Sequence, residues 1–275
     1  MKKVLVTGAT GFIGNYVIRE LLENNCRVIA TSANTAKAQT ASWFSQVHYI
    51  PFNLEAFDDS VNYYSFFNEP DIMIHLAWEG LPNYKESFHI EKNLPRHKDF
   101  LKNILSNGLK NLSVTGTCFE YGMKEGALST DMRADPQNVY AMAKDRLRIF
   151  LQELQNSIDF KLKWIRLFYM YGKGQSANSI LAQLEAALQR GDESFNMSGG
   201  EQLRDYLPVE QVARNIVAFS LDEKKNGIFN CCSGTPISIR NLVEDYLRNR
   251  NKQIRLNLGY YPYPDYEPMA FWGVK

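Results

Sequence analysis

Charge of one sign is missing from this chain. Its 275 residues carry 31 Lys and Arg against 30 Asp and Glu, a net charge of +1, so nothing argues for nucleic acid or an anionic membrane surface as a partner. Long apolar runs are missing too, and no stretch reaches the ~18 residues of a membrane span. The apolar run after Met1-Lys2-Lys3 is broken by Thr7, Gly8 and Thr10 and passes into a patterned amphipathic segment, so it does not read as a signal peptide. Cysteine is scarce. The four present (Cys26, Cys118, Cys231, Cys232) show no CxxC or Cys/His spacing, which leaves no candidate metal site and points to reduced thiols in a cytoplasm. Repeats, low-complexity tracts and long linkers are also absent. A content of 45% hydrophobic and 22% charged residues suits one large or two modest globular domains.

What is present starts at the N-terminus. Val4-Leu5-Val6 suits a strand buried on both faces, and Ile13, Tyr16, Val17 and Leu21 recur at helical spacing. Between them stand Thr10, Phe12 and the glycines Gly8, Gly11 and Gly14. In a strand-turn-helix, the first glycine allows the tight turn and the second lets backbone approach a pyrophosphate. The third lets the helix lie close to the strand, and the helix N-terminus offers free N–H groups to the anion. This is a dinucleotide site in expectation.

The second strand, Arg27 to Thr31, ends at Ser32, where an Asp or Glu normally meets the adenosine ribose. The missing carboxylate removes a barrier to a 2′-phosphate, although no arginine accompanies it and Lys37 is the nearest cation. The pattern favours NADPH, with NAD open. A third strand is expected from Val47 to Phe52, with Asn53 and Leu54 at its exit where adenine would lie. A fourth covers Asp71 to Ala77, in which His75 reads as a packed polar residue. Leu76, Ala77 and the loop from Trp78 to Tyr84 then fall at a strand's carboxyl edge. A helix from about Lys85 to Asn107 carries Asn93, and Leu112 to Thr115 makes a fifth strand. Such alternation predicts a doubly wound parallel sheet of Rossmann type.

Next come a polar loop with Thr117 and a helix with Tyr140 and Lys144 at i and i+4, on one helical face. A phenol titrates near 10, so it carries protons poorly at neutral pH unless perturbed. A nearby ammonium lowers that value, and a hydroxyl such as Thr117 can orient a substrate oxygen. Glu120 reads as a structural residue of the loop.

Five segments match family landmarks in order. They are Thr7–Gly14 (TGATGFIG), Gly116–Gly122 (GTCFEYG), Tyr140–Lys144 (YAMAK), Arg166–Gly172 (RLFYMYG) and Leu203–Ala213 (LRDYLPVEQVA). On these the chain resembles the extended short-chain dehydrogenase/reductases, the NAD-dependent epimerase/dehydratase family acting on nucleotide-activated sugars. The resemblance implies that Tyr140 carries the proton, Lys144 holds the nicotinamide ribose, and Thr117 holds the reacting oxygen. It also implies a cofactor lined by Gly8, Thr10, Gly11, Phe12, Ile13, Gly14, Ser32, Asn53, Leu54, Leu76, Ala77, Trp78, Asn93, Thr115 and Tyr169. For the substrate it implies Trp78, Cys118, Phe119, Asn178 and Arg204, the last two at the diphosphate. In the family's 4,6-dehydratases an Asp-Glu pair follows the active-site Thr; Cys118 and Phe119 stand there here and cannot eliminate water.

The resemblance therefore narrows to the sugar 4-ketoreductases: NAD(P)H-dependent reduction of a nucleotide-linked 4-keto-6-deoxyhexose in deoxysugar and surface polysaccharide biosynthesis. A 4-epimerase with tightly bound NAD, or a catalytically silent nucleotide-binding regulator, are the alternatives. The expected layout is a nucleotide-binding domain at 1–168 and a mainly substrate-binding domain at 169–275, with some return of the chain to the first sheet. A homodimer is possible by analogy. The ring-rich tail from Tyr260 to Tyr266 is read either as a pocket wall or as a clamp for the C-terminus.

Overall fold

Successive residues of the first strand enter two different cores. In the computed structural model, which describes residues 1–275, β1 (Lys3–Thr7) sends Val4 and Val6 to one side and Leu5 to the other. The N-terminal elements continue as α1 (Phe12–Glu23), β2 (Arg27–Thr31), α2 (Thr35–Gln39), β3 (His48–Tyr49), α3 (Tyr63–Phe66), β4 (Ile72–His75), α4 (Leu94–Ser106) and β5 (Asn111–Thr117). Then come β6 (Gly126–Leu128), α5 (Val139–Leu154), β7 (Lys161–Leu167), β8 (Tyr169–Tyr171), α6 (Ile180–Arg190) and β9 (Ser194–Asn196). The chain finishes with β10 (Leu203–Pro208), α7 (Val209–Leu221), β11 (Gly227–Cys231), β12 (Pro236–Ser238), α8 (Ile239–Asn249), β13 (Arg255–Asn257) and β14 (Phe271–Gly273).

Seven strands form one sheet in the order β3-β2-β1-β4-β5-β7-β11, all parallel. Helices α1 and α7 cover one face with Val17, Ile18, Leu21, Val212 and Ile216. Helices α3, α4 and α5 cover the other through Phe67, Phe100, Ile104, Leu147 and Leu151. This is the doubly wound arrangement expected. Strand order reverses between β1 and β4, and in open α/β sheets ligands sit outside the carboxyl ends of the strands at such a point. The remaining strands make small sheets: β12-β10-β8, β13 with β9, and β14 with β6. There α6 and α8 share a separate core of Leu181, Leu184, Val243 and Leu247. Although they follow residue 168, β11 and α7 belong to the large sheet and its helical layer.

Three boundaries differ from expectation. The third strand's regular ladder with β2 covers only His48 and Tyr49, although Ile50 and Phe52 still donate to the Ala30 and Ser32 carbonyls at 3.0 and 3.3 Å. The helix expected from Lys85 instead opens as a wide π-turn at His89–Asn93 before α4. Pro95 supplies no N–H to the preceding turn, so regular α-bonding cannot run through it. The fifth strand runs on to Thr117, because Gly116 and Thr117 pair with Arg166 and Leu167 of β7. Thr117 is thus fixed by the sheet rather than carried on a loop. No helix is long and apolar enough to cross a membrane.

Candidate functional site

At the β1–β4 reversal the chain leaves Thr7 through Gly8, whose φ is +70°. A Cβ at Gly8 would lie 2.8 Å from the Ala77 nitrogen, and one at Gly14 would lie 2.3 Å from the Gly8 carbonyl oxygen. Both positions are closed to any side chain, which holds α1 and the fourth strand's exit tightly against the turn. Gly11 begins α1 with no side-chain cap and no acid in the first turn, so the N–H groups of Phe12, Ile13 and Gly14 stay open to an anion. A cavity of about 270 Å³ lies before them. Gly8, Thr10, Gly11 and Ser32 line it, as do Asn53, Leu54, Leu76, Ala77 and Trp78. A dinucleotide's diphosphate fits this cradle. Ser32 shares a hydrogen bond with the Tyr49 hydroxyl at 3.0 Å, and neither Arg nor Lys lines the cavity. Asn93 and Thr115 stand apart from that lining. Asn93 donates to the Glu79 carbonyl at 3.0 Å, and Thr115 is buried in β5.

Thr117, Tyr140 and Lys144 are 7%, 8% and 2% exposed, at the end of β5 and in the first turns of α5. Asn138 caps α5 by accepting from the Ala141 N–H at 2.8 Å, while the Tyr140 N–H donates to the Tyr84 carbonyl at 3.0 Å. The first turn of the helix is therefore tied to the 78–84 loop. Lys144 Nζ sits 4.4 Å from the centre of the Trp78 ring and 5.5 Å from that of Trp164. Burial draws its pKa down to about 7 against the upward pull of Glu120. For Tyr140 the structure reverses the expected sign. Burial, with Tyr84, Glu120 and Cys118 adding to it, raises the phenol's pKa. Tyr140 is accordingly neutral at physiological pH and carries a proton to give.

Two further constructions brace these residues. Glu120, fully buried, accepts from the Thr117 N–H at 2.9 Å, Trp164 Nε1 at 3.0 Å and Arg166 Nε at 2.8 Å. Beneath Trp78, His75 links Thr7 Oγ1 at 2.8 Å to His97 Nδ1 at 2.7 Å. Burial holds the His75 imidazole down at about 3, so it stays neutral and is a packed residue, as its position in the strand suggested. The Trp78 ring stacks on His97 at 4.6 Å and donates through Nε1 to His89 Nδ1 at 3.0 Å. That leaves His89 Nε2 to donate to the Asn83 carbonyl, also at 3.0 Å.

Beyond Tyr140 opens a second cavity of about 700 Å³, lined by Phe119, Asn178 and Arg204 of the expected substrate residues and by Tyr169, which was expected at the cofactor. Cys118 is buried beside it with a thiol that burial pushes up, and Trp78 lines the nucleotide cavity instead. Arg204 is not free here. It is 2% exposed, gives Nε and Nη2 to Glu267 Oε2 at 3.0 and 2.8 Å, and gives Nη1 to the Leu203 and Met269 carbonyls. Tyr266 and Glu267 of the tail line the cavity, so the C-terminal segment is part of its wall. Tyr84, Glu120, His89, His97 and Glu267 were not singled out as site residues from the sequence. Only the Thr-x-x-Glu capping box at Thr117 carried a local signal.

The profile of the NAD dependent epimerase/dehydratase family matches residues 4–232. Over 273 residues, 99% of both chains, the sequence is 30% identical to dTDP-6-deoxy-L-talose 4-dehydrogenase (NAD(+)) of Aggregatibacter actinomycetemcomitans. It is 24% identical to dTDP-4-dehydro-6-deoxyglucose reductase of Escherichia coli, over 91% of this chain and 82% of that one. Among solved structures, UDP-glucuronic acid 4-epimerase from Bacillus cereus, in complex with UDP-glucuronic acid and NAD, superposes with a TM-score of 0.83. That match has 23% identity and covers 99% of this chain and 90% of the other. With the glycine cradle at the sheet's reversal and Tyr140 and Lys144 one helical turn apart beside it, the chain belongs to the NAD-dependent epimerase/dehydratase family.

Proposed function

We propose that this protein reduces the keto group of a nucleotide-activated 4-keto-6-deoxyhexose, such as a dTDP- or CDP-linked sugar. The product would serve deoxysugar and surface polysaccharide synthesis in the cytoplasm. The observation that carries the reading is a buried Tyr140 whose ring lies 6.0 Å from that of Trp78, in the wall of the nucleotide cradle, and 5.6 Å from that of Tyr84, in the wall of the ring-lined cavity. Both curated relatives act, by their names, on the 4-position of 6-deoxy dTDP-sugars. Cys118 and Phe119, one buried and one aromatic, supply no acid-base pair for dehydration.

When bound, a reduced nicotinamide supplies hydride to the sugar carbonyl carbon. The open N–H groups of Phe12 to Gly14 would hold the dinucleotide's diphosphate, Asn53 and Leu54 its adenine, and Ser32 its ribose. Tyr140 gives its phenolic proton to the carbonyl oxygen as charge develops there, and the Thr117 hydroxyl donates to the same oxygen. Lys144, one helical turn on from Tyr140 and drawn down to about 7 by burial, would in its charged form stabilise the phenolate left behind. The cavity at Ser32 gives a 2′-phosphate neither repulsion nor grip, and the Aggregatibacter relative is named for NAD(+). We therefore take NADH as the donor in place of the NADPH that the missing carboxylate alone favoured. The resemblance further implies a homodimer formed through α4 and α5.

The test is Tyr140→Phe, followed at 340 nm with NADH and dTDP-4-keto-6-deoxyglucose made in situ. Turnover should fall about 10²–10⁴-fold, the usual worth of a positioned acid, while NADH binding by fluorescence stays within about twofold. Undiminished turnover would remove Tyr140 from the mechanism.

A further inference from the structure

The loop that follows the fourth strand is pinned at three of its carbonyls. Asn93 Nδ2 donates to that of Glu79, His89 Nε2 to that of Asn83, and the Tyr140 N–H to that of Tyr84, each at 3.0 Å. All three anchors act on backbone. Together they fix where the Tyr84 side chain stands without occupying it.

That side chain is half-buried and lines the larger cavity. Its ring centre lies 5.6 Å from that of Tyr140 and 5.2 Å from that of Phe119. Burial pushes the Tyr84 phenol up to about 12, with Cys118, Glu267 and Tyr266 adding to it, so the group is neutral and able to donate at physiological pH. Glu267 and Tyr266 line the same cavity, so the hydroxyl that feels them faces it. It has no hydrogen-bond partner in the protein, yet it is not sealed off as the Tyr169 hydroxyl is. An open phenol, rigidly presented, therefore stands beside the proton carrier.

In a 4-keto-6-deoxyhexose the carbonyl carbon has two carbon neighbours: C5 bears a methyl group and C3 bears a hydroxyl. Phe119 stands two residues beyond Thr117, whose Oγ1 accepts from the Phe119 N–H at 3.3 Å. It offers only an apolar ring, which suits the methyl side. Tyr84 offers both a donor and an acceptor, which suits the hydroxyl side.

We propose that Tyr84 is a specificity-determining residue whose hydroxyl binds the C3 hydroxyl of the hexose and so presents the C4 oxygen to Tyr140 and Thr117. This rests on the nucleotide-sugar reading above and names one contact that selects the sugar.

The experiment is calorimetric binding of dTDP, dTDP-6-deoxyglucose and dTDP-3,6-dideoxyglucose to wild type and Tyr84→Phe, with NADH bound so that these 4-hydroxy sugars cannot turn over. Wild type should bind dTDP-6-deoxyglucose about two- to tenfold more tightly than its 3-deoxy counterpart, the scale of one hydrogen bond. Tyr84→Phe should erase that gap by weakening dTDP-6-deoxyglucose alone, with dTDP binding and the melting temperature unchanged. The comparison of the two sugars on wild type needs no variant, so it stands even if Tyr84→Phe folds poorly. A gap that persists in Tyr84→Phe gives the C3 hydroxyl to another group and overturns the proposal. Equal weakening of dTDP and dTDP-6-deoxyglucose puts Tyr84 at the nucleotide, and a wild type indifferent to the C3 hydroxyl leaves it no partner; each overturns the proposal while the nucleotide-sugar reading stands. A wild type that binds none of the three defeats that reading, and the proposal with it.

Discussion

Replacing Glu120 by alanine strands a buried cation. Arg166 is 1% exposed and Glu120 not at all, and Arg166 Nη1 already has no partner, so the carboxylate is the only anion that the guanidinium meets. Breaking a buried pair by removing one partner costs about 3–5 kcal/mol. The Thr117 N–H and Trp164 Nε1 also lose their acceptor, but such losses overlap with the first and are not added. For a chain of this size about 2–4 °C of melting temperature corresponds to each kcal/mol. Glu120→Ala should therefore melt about 6–20 °C below wild type by calorimetry. Glu120→Leu combined with Arg166→Met removes both charges and should recover most of the loss. A fall below about 2 °C for the single variant, or a double variant no more stable than the single, would refute the reasoning. Because the same carboxylate fixes the Thr117 backbone, kcat of the folded fraction should also drop in Glu120→Gln.

Other consequences follow from the site. Lys144 has its pKa drawn down to about 7 from 10.5 in the folded protein, so between these values the unfolded chain binds more protons and stability rises with pH. In the cofactor-free protein, Lys144→Met should abolish that part of the melting temperature's dependence on pH; an unchanged slope would place the titration elsewhere. Ser32→Asp, at the end of β2, should reduce kcat/KM with NADPH about tenfold or more by charge repulsion while sparing NADH; equal effects on both would separate Ser32 from the ribose. Burial pushes Cys231 up to about 12 and raises the Cys118 thiol as well, so neutral-pH iodoacetamide should leave activity intact over hours. Rapid inactivation would mean that one of these thiols opens to solvent.

The features legible from sequence were those that backbone sterics or one helical turn impose. Gly8 and Gly14 are required by contacts that no Cβ could survive, and Tyr140 and Lys144 share a face because of helical pitch alone. The doubly wound sheet was legible for the same reason, from strands apolar on both faces. What escaped depends on chain closure. Arg204 meets Glu267 across 63 residues, and His75 meets His97 across 22. No local pattern marks either pair. The sign of the Tyr140 shift was missed because burial in the assembled site, and not the neighbouring ammonium, decides it. The π-turn at His89–Asn93 lies just before Pro95, whose missing N–H is a signal that the sequence itself held.

The most direct measurement supplies the protein with NADH deuterated at the transferring position and a dTDP-4-keto-6-deoxyhexose, then counts cofactor against product and locates the label by NMR. One NADH oxidised per sugar, with deuterium on C4 of a 4-hydroxy product, is the predicted result. Conversion without net oxidation of NADH, or a product carrying no label at C4, would contradict it.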